Sequence, residues 1–439
     1  MNYTEALFLL IFVLVAFASL ALRPWPVLRQ WFLTVFSLFI IMTWSVYSLV
    51  LFLVIAVANF FVARLLALRP ENGRLILALA IACDIAALAI FKYSGFLHLN
   101  LSRFTAAIGI PLAISFYTFH IISYLVDIYR GKTGPMTFGR YLFYLSFFPH
   151  VVAGPIVRTW QLVPQLRFTR RVSADWAIGF HFLVTGFFLK TICADNVAAI
   201  IDPAWSSATL STPDRWLVAF LYYCQIYGDF GGYSLMALGM ARLLGFRLPA
   251  NFRSPMRAAS LQEFWHRWHI TLSRWLRDYL YIPLGGSRTG NTAVNLMATM
   301  LLGGLWHGAA WGFIVWGFMH GIGLAVERLL PQLRRSALWW FVVQAWVTIA
   351  WIPFRLPRGS SAGHFMTHMF WPAGSDASPS IAFALVFAAP IIIHQFLPLL
   401  LPRITRKALP IYLGAMTGVL LICDLTIVAP GRVFLYFSF

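Results

Sequence analysis

The chain reads as an all-α, polytopic membrane protein, and three observations predict it. Of 439 residues, 60% are hydrophobic, against about 45–50% in an ordinary soluble domain. Only 11% are charged, less than half the usual share of about 25%. The apolar residues fall in long continuous runs, and the mean hydropathy is +0.77. Continuous runs rather than alternation argue against a β-barrel, and the composition argues against a soluble, disordered or fibrous protein. Cys83, Cys193, Cys224 and Cys423 are scattered with no CxxC pair, so a disulfide scaffold is excluded as well. The net charge is +19. In a soluble protein that would suggest nucleic acid. In a membrane protein, Lys and Arg gather in cytoplasmic loops and face anionic headgroups, so no nucleic-acid partner is expected.

The elements follow from the charge-poor runs. Ala6–Leu22 comes first. It lacks a basic leader and a small-residue cleavage site, so it reads as a membrane helix rather than a signal peptide. The run from Trp31 to Ala63 is too long for one helix and is expected to turn near Thr43–Ser48. Leu75–Phe91 carries Asp84. Then come Ala106–Ile128, Tyr141–Val157, Trp176–Ala194, Trp216–Met240, Thr292–Val326, Ala337–Phe354, Ile381–Leu401 and Ile411–Val428. A span needs about 20 apolar residues, which gives roughly 10–12 membrane helices, some short or re-entrant. No repeat and no linker divides the chain, so residues 1–439 are read as one membrane domain.

Charge bias predicts orientation. The basic clusters Arg64–Arg74, Arg130–Arg140, Arg158–Arg171 and Arg242–Arg288 are expected in the cytoplasm. The Asp195–Asp214 loop has no Lys or Arg and is expected on the other side, as is Met1–Glu5.

Two stretches do not suit lipid. Leu261–Ile282 (LQEFWHRWHITLSRWLRDYLYI) is helix-length yet carries five charges. Each charge costs about 2.5–3.5 kcal/mol at bilayer centre. The stretch is therefore an interfacial helix with Trp at headgroup depth, or it lines a hydrated cavity. Ser260 and Glu263 have capping-box spacing. On a continuous helix His266, His269 and Ser273 share one face, and Arg267, Arg274 and Asp278 another. The second stretch, Leu301–Glu327, holds His307 and His320 in an otherwise charge-free run. Intramembrane ionisable groups are functional candidates by default, although a neighbouring carbonyl would also satisfy a buried His. Thirteen residues apart, the two would point roughly 140° from each other unless Gly308 or Gly312 breaks the helix.

Other signals are weaker. Asp229, in QIYGDFGGYS, is a site candidate or a hydrogen-bonded core carboxyl. His364 and His368 have i,i+4 spacing, but a solvated loop is favoured over zinc because no third ligand is adjacent. His266 and His269 likewise have no neighbouring ligand to complete a metal set. No Walker A, GxGxxG or GxSxG pattern is present.

The ordered motifs EFWHRWHITLSRWLRDYLYIPLGGSR (263–288), LLGGLWHG (301–308) and FMHG (318–321) resemble the membrane-bound O-acyltransferase (MBOAT) family. PLAISFYTFHIISYLVDIYRG (111–131), FFPHVVAGPIVR (147–158), QIYGDFGGYS (225–234) and LGFRLPANFRSP (244–255) resemble it too. The likeness covers roughly residues 105–330, the expected catalytic core, and is greatest to the alginate/exopolysaccharide O-acetylation branch. The chain departs from the family pattern at Leu189–Lys190, often two Lys, at GGYSL, often SGYSD, and at His266, often Arg or Asn.

The resemblance implies a helical bundle around a tunnel and a cytoplasmic acyl thioester, acetyl-CoA in the alginate branch. It implies His307 as the catalytic histidine and His269 as the second polar position. His320 matches a further histidine, placed here with Trp306, Asp229, His266, Arg267, Arg274 and Arg277 among the substrate-binding candidates. The acyl group would pass to a periplasmic O-acetyltransferase partner at a bacterial inner membrane. No bound cofactor or metal is expected, because a thioester carbonyl is already activated. The reaction needs a base, which neutral His supplies near physiological pH. It also needs a donor for the oxyanion or a group to orient the base, and His269 is the candidate. The arginines would meet CoA phosphates or lipid headgroups. D-alanyl or other short-acyl transfer is the alternative within the family. A lipid-linked sugar transporter, with the histidines as proton relays, is the alternative outside it.

Overall fold

The computed structural model describes residues 3–97, 110–152, 154–167, 173–207, 209–330, 336–357, 360–371, 379–400 and 409–426. Helices dominate, and no β-strand occurs among these residues. The chain divides into two units, Met1–Gly179 with Ala237–Pro249, and Phe180–Met236 with Ala250–Phe439.

The first unit holds α1 (Ala6–Ala21), α2 (Pro26–Trp44), α3 (Val46–Leu68), α4 (Gly73–Tyr93), α5 (Ile114–Tyr129), α6 (Phe138–Ser146) and α7 (Phe148–Val151). The turn expected near Thr43–Ser48 is Ser45, whose extended backbone separates α2 from α3. Asp84 on α4 accepts a hydrogen bond from Asn59 Nδ2 at 2.8 Å. That partner lets a carboxyl sit in an apolar helix pair. Ala106–Ile128 is narrower than expected. Its helix starts at Ile114, after left-handed Ala113, and residues 106–109 lie outside the described residues. Tyr141–Val157 is not one span. The helix stops at Phe147, where the Phe148 N–H turns to Ser37 Oγ (3.1 Å) and Tyr3 Oη donates to the Phe148 carbonyl. Side chains from other helices thus take the backbone groups that a continuous helix would pair internally.

The second unit begins in α8 (Ser173–Phe187), which runs through a π-helical turn, Phe188–Ala194, into α9 (Asp195–Ile201). Asp195–Asp214 is therefore not all loop: Asp195 is buried within a helical path, and the connection to α10 (Thr212–Leu243) begins only after Ile201. Then come α11 (Leu261–Arg267), α12 (Ile270–Leu276), α13 (Thr292–His307), α14 (Trp311–Leu329), α15 (Ala337–Arg355), α16 (Ser360–Thr367), α17 (Pro379–Leu400) and α18 (Leu409–Thr426). Residue 401 and residues 427–428 of the last two predicted spans lie outside the described residues.

Among the described residues, six helical stretches are long and apolar enough to cross a membrane, from Pro26–Trp44 to Ser380–Leu397. Their outward faces carry exposed Leu, Val, Ile and Phe, such as Val54, Phe61 and Leu79. In water that surface would be a severe liability, and in lipid it is the expected one. The chain is a multi-pass membrane protein.

Two helical stretches are broken, the first against expectation and the second at one of the two glycines where a break was open. Leu261–Ile282 splits at Trp268–His269, with His269 at φ 40°, ψ 53°. The neighbouring segment causes it: Arg253 N–H donates to the Arg267 carbonyl (2.9 Å), and Ile270 N–H donates to the Asn251 carbonyl (2.8 Å). Those backbone groups are taken out of the helical ladder. The single-helix face that grouped His266 with His269 does not exist. The start of α11 is fixed at both sides. Ser260 Oγ accepts from Glu263 N–H (2.9 Å), while Glu263 Oε2 accepts from Ala259 N–H (2.8 Å). Glu327, at the end of α14, is 1% exposed and accepts from the Leu261 and Gln262 N–H groups at 2.8 and 3.1 Å. A carboxylate there satisfies two of the unpaired donors of a helix N-terminus.

The second break is at Gly308, extended at φ −169°. It ends α13 immediately after His307, and α14 restarts at Trp311. A Cβ on Gly308 would overlap the Phe313 ring, and one on Gly304 would overlap the Phe313 carbonyl. The absence of side chains at these two positions lets the antiparallel helices close together.

Candidate active site

Three of the four predicted site histidines are buried in the second unit: His269 and His320 at 0% exposure and His307 at 4%. Trp306 joins two of them. Its ring centre lies 6.1 Å from that of His269 and 4.9 Å from that of His307. The two imidazoles are therefore at most 11.0 Å apart, the sum of those distances. Trp316 lies 5.1 Å from His307 and 4.9 Å from His320. Because Gly308 turns the chain back, residues that a straight helix would aim apart face one indole.

Aromatic rings line the rest. Phe354 lies 5.2 Å from His307. His320 is boxed by Trp265 at 5.0 Å and stacks on Phe264 at 5.8 Å. Phe230 meets His269 edge-on at 4.7 Å, and Phe252 lies 6.5 Å away. These rings exclude water, which strengthens any charge or hydrogen bond formed inside.

His269 is held tightly. Its Nδ1 is 3.0 Å from Asn251 Oδ1, which also accepts from Thr271 Oγ1 (3.0 Å) and Thr271 N–H (3.4 Å). Its Nε2 is buried with no hydrogen-bond partner, an arrangement that costs about 1–3 kcal/mol. A left-handed non-Gly backbone adds about 1–2 kcal/mol. Strain and an unsatisfied polar atom in one residue point to function rather than stability. Burial among aromatic rings favours the neutral form of the His269 ring.

The other predicted residues separate from this centre. His266 is exposed, on the far side of the break from His269. Arg267 pairs with Glu263 at 2.6 Å and also donates to the Arg253 carbonyl. Arg274 is exposed, and Arg277 pairs with its neighbour Asp278 at 2.7 Å. Arg274 and Arg277 thus lie on an accessible surface, and Arg267 is partly exposed, apart from the buried histidine cluster. Asp229 is 3% exposed and pairs with Lys190 at 2.8 Å, and Lys190 also pairs with Asp195 at 2.5 Å. That geometry gives Asp229 a structural partner. The rings of His364 and His368 lie 4.1 Å apart, with His368 Nδ1 bonded to the His364 carbonyl. No group of three or more His, Cys, Asp or Glu side chains is placed to hold a metal among the described residues.

Sequence reasoning missed Asn251, Thr271 and Glu327, and it did not join Asp229 to Lys190 and Asp195. Asn251 stood inside the LPANF motif, but nothing in its spacing ties it to His269, eighteen positions on.

Broken helices in a multi-pass membrane protein gather three buried histidines around two tryptophans. Comparison with known proteins gives the protein's class. The family model of the membrane-bound O-acyltransferases matches residues 129–356. A probable alginate O-acetylase, AlgI of Pseudomonas aeruginosa, is 38% identical over 349 residues, covering 74% of this chain and 67% of that one. A peptidoglycan O-acetyltransferase of Helicobacter pylori is 36% identical over 401 residues, covering 81% and 75%. A teichoic acid D-alanyltransferase of Streptococcus thermophilus is 29% identical over 236 residues, covering 49% and 56%. The chain belongs to the membrane-bound O-acyltransferase family, and it is an O-acyltransferase.

Proposed function

We propose that this enzyme moves an acetyl group from a cytoplasmic thioester, acetyl-CoA, toward O-acetylation of an exopolysaccharide at a bacterial inner membrane. The observation that carries it is the pair His269 and His307 on one indole, in a chain similar to O-acetylases over most of its length. The acetyl reading is favoured over D-alanyl transfer because the O-acetylases match more of the chain at higher identity. Membership of an acyltransferase family removes the sugar-transporter alternative.

In this reading His307 is the base. As the acceptor hydroxyl attacks the thioester carbonyl, its proton passes to the His307 imidazole. The C–S bond breaks, and the departing thiolate recovers the proton. Apolar walls of Trp306, Trp316 and Phe354 keep water from competing for the acyl group. Arg274 and Arg277, on the accessible surface, suit the phosphates of a CoA donor. His320 shapes the chamber beside Trp316. The acceptor is a hydroxyl of a periplasmic O-acetyltransferase partner, which then modifies the polymer.

The test is incubation of the purified protein with radiolabelled acetyl-CoA, with and without the periplasmic transferase. Thioester consumption that depends on the partner, with label moving to it, is expected. Label that moves only from a D-alanyl thioester would replace the acetyl assignment.

A further inference from the structure

We infer that Asn251 is a positioning residue that locks His269 as the Nδ1–H tautomer, so that His269 presents Nε2 to the site as a hydrogen-bond acceptor and cannot serve as an oxyanion donor. The assignment deepens the acyltransfer reading and rests on it for its catalytic half.

The deduction starts from an atom whose role is fixed. A backbone N–H can only donate. Thr271 N–H approaches Asn251 Oδ1 at 3.4 Å, and Thr271 Oγ1 approaches the same atom at 3.0 Å. The other end of the amide, Nδ2, donates to Ser234 Oγ at 3.2 Å. The side-chain carbonyl therefore faces His269. Its oxygen and an unprotonated ring nitrogen would present lone pair to lone pair at 3.0 Å. The contact is a bond only if Nδ1 carries the hydrogen. A neutral imidazole has one N–H, so Nε2 is left with its lone pair. Nε2 is the buried atom with no hydrogen-bond partner.

The same residue does a second task. Its backbone carbonyl takes the Ile270 N–H at 2.8 Å, which helps hold open the break that places His269 at φ 40°. Backbone and side chain of Asn251 thus set the position and the protonation pattern of one ring together. This is the logic by which an orienting partner on one imidazole nitrogen decides what the other can do. An oxyanion needs an N–H. The neutral His269 has none to offer at Nε2, and its Nδ1–H is occupied by Asn251.

The test is 15N NMR of histidine-labelled protein in nanodiscs, with the His269 signals assigned by their loss in His269→Gln. The expected pattern is a protonated Nδ1 and an unprotonated Nε2. In Asn251→Leu the acceptor is gone, and the Nε2–H tautomer should appear. In Asn251→Asp the acceptor remains, and the wild-type pattern should persist. Acyl transfer should fall about tenfold or more in kcat for Asn251→Leu, the direction seen when a catalytic imidazole adopts the wrong tautomer, with KM nearly constant and with partial rescue by Asp. A wild-type Nε2–H signal would overturn the tautomer. A wild-type kcat in Asn251→Leu with an altered tautomer would overturn the catalytic half. Failure of the underlying reading looks different: the wild-type protein would consume no acyl thioester while the Nδ1–H signal stayed, which supports the tautomer and removes its catalytic use.

Discussion

His269 and His307 approach the same indole, that of Trp306, from 6.1 and 4.9 Å. They lie on separate broken helices, so this shared contact joins two motifs 38 residues apart in one cluster. His307→Ala or His307→Gln is expected to abolish acyl transfer with normal membrane insertion. General-base catalysis contributes about 10²–10⁴-fold. His269→Ala should reduce transfer less severely, and His320→Ala least, since His320 packs among Phe264, Trp265 and Trp316. Polymer acetylation at matched membrane abundance is the measurement. Near-wild-type acetylation by His307→Ala would move the base elsewhere.

Gly308→Ala is expected to damage the site through space rather than backbone angle. The new methyl meets the Phe313 ring, and overpacking of this kind costs about 1–3 kcal/mol. Lower thermal stability in detergent and lower transfer should appear together. Adding Phe313→Leu should recover part of both. No recovery in the double variant would show that the clash is not the cause.

Lys190 pairs with two buried carboxylates, Asp195 and Asp229. Lys190→Met is expected to destabilise by about 3–5 kcal/mol, because it removes the cation facing two buried carboxylates. The triple change Lys190→Met, Asp195→Asn, Asp229→Asn removes the charges along with the partner and should be far more stable than the single variant. Detergent thermal unfolding distinguishes them. Equal melting temperatures for the single and triple variants would refute the charge argument.

Orientation is tested by labelling. In a background without the four native cysteines, Thr209→Cys should react with an impermeant maleimide from the periplasm, and Arg288→Cys only after the cytoplasm is opened. Both positions are exposed, so silence is not caused by burial. The reverse pattern would invert the topology and the side from which the donor enters.

Much of this was legible in the sequence because hydropathy is a local property. A run of apolar residues between basic clusters has to be a helix in lipid, where no water can satisfy the backbone. The turn at Ser45, the start of α11 at Ser260 and the candidacy of His269, His307 and His320 all came from residues close together in the chain. Gly308 was marked as one of two places where the helix would break. The Phe313 ring packed where a Gly308 side chain would be is a contact made only on folding.

Other features depended on partners far along the chain. Leu261–Ile282 has the length and periodicity of one helix, and its propensity gives no reason to stop at Trp268. It stops because Asn251 and Arg253 capture its backbone groups. That moved His266 outside and left His269 in the centre, although the two are three residues apart. Tyr141–Val157 failed as a span for the same reason, with Ser37 and Tyr3 taking the backbone at Phe148. The sequence by itself determined a polytopic helical protein, its family likeness and the histidines at its core. Only the tertiary structure decided which histidines share a chamber and which nitrogen of His269 is free. Hydrogen bonds between distant segments set those outcomes, and no local pattern encodes them.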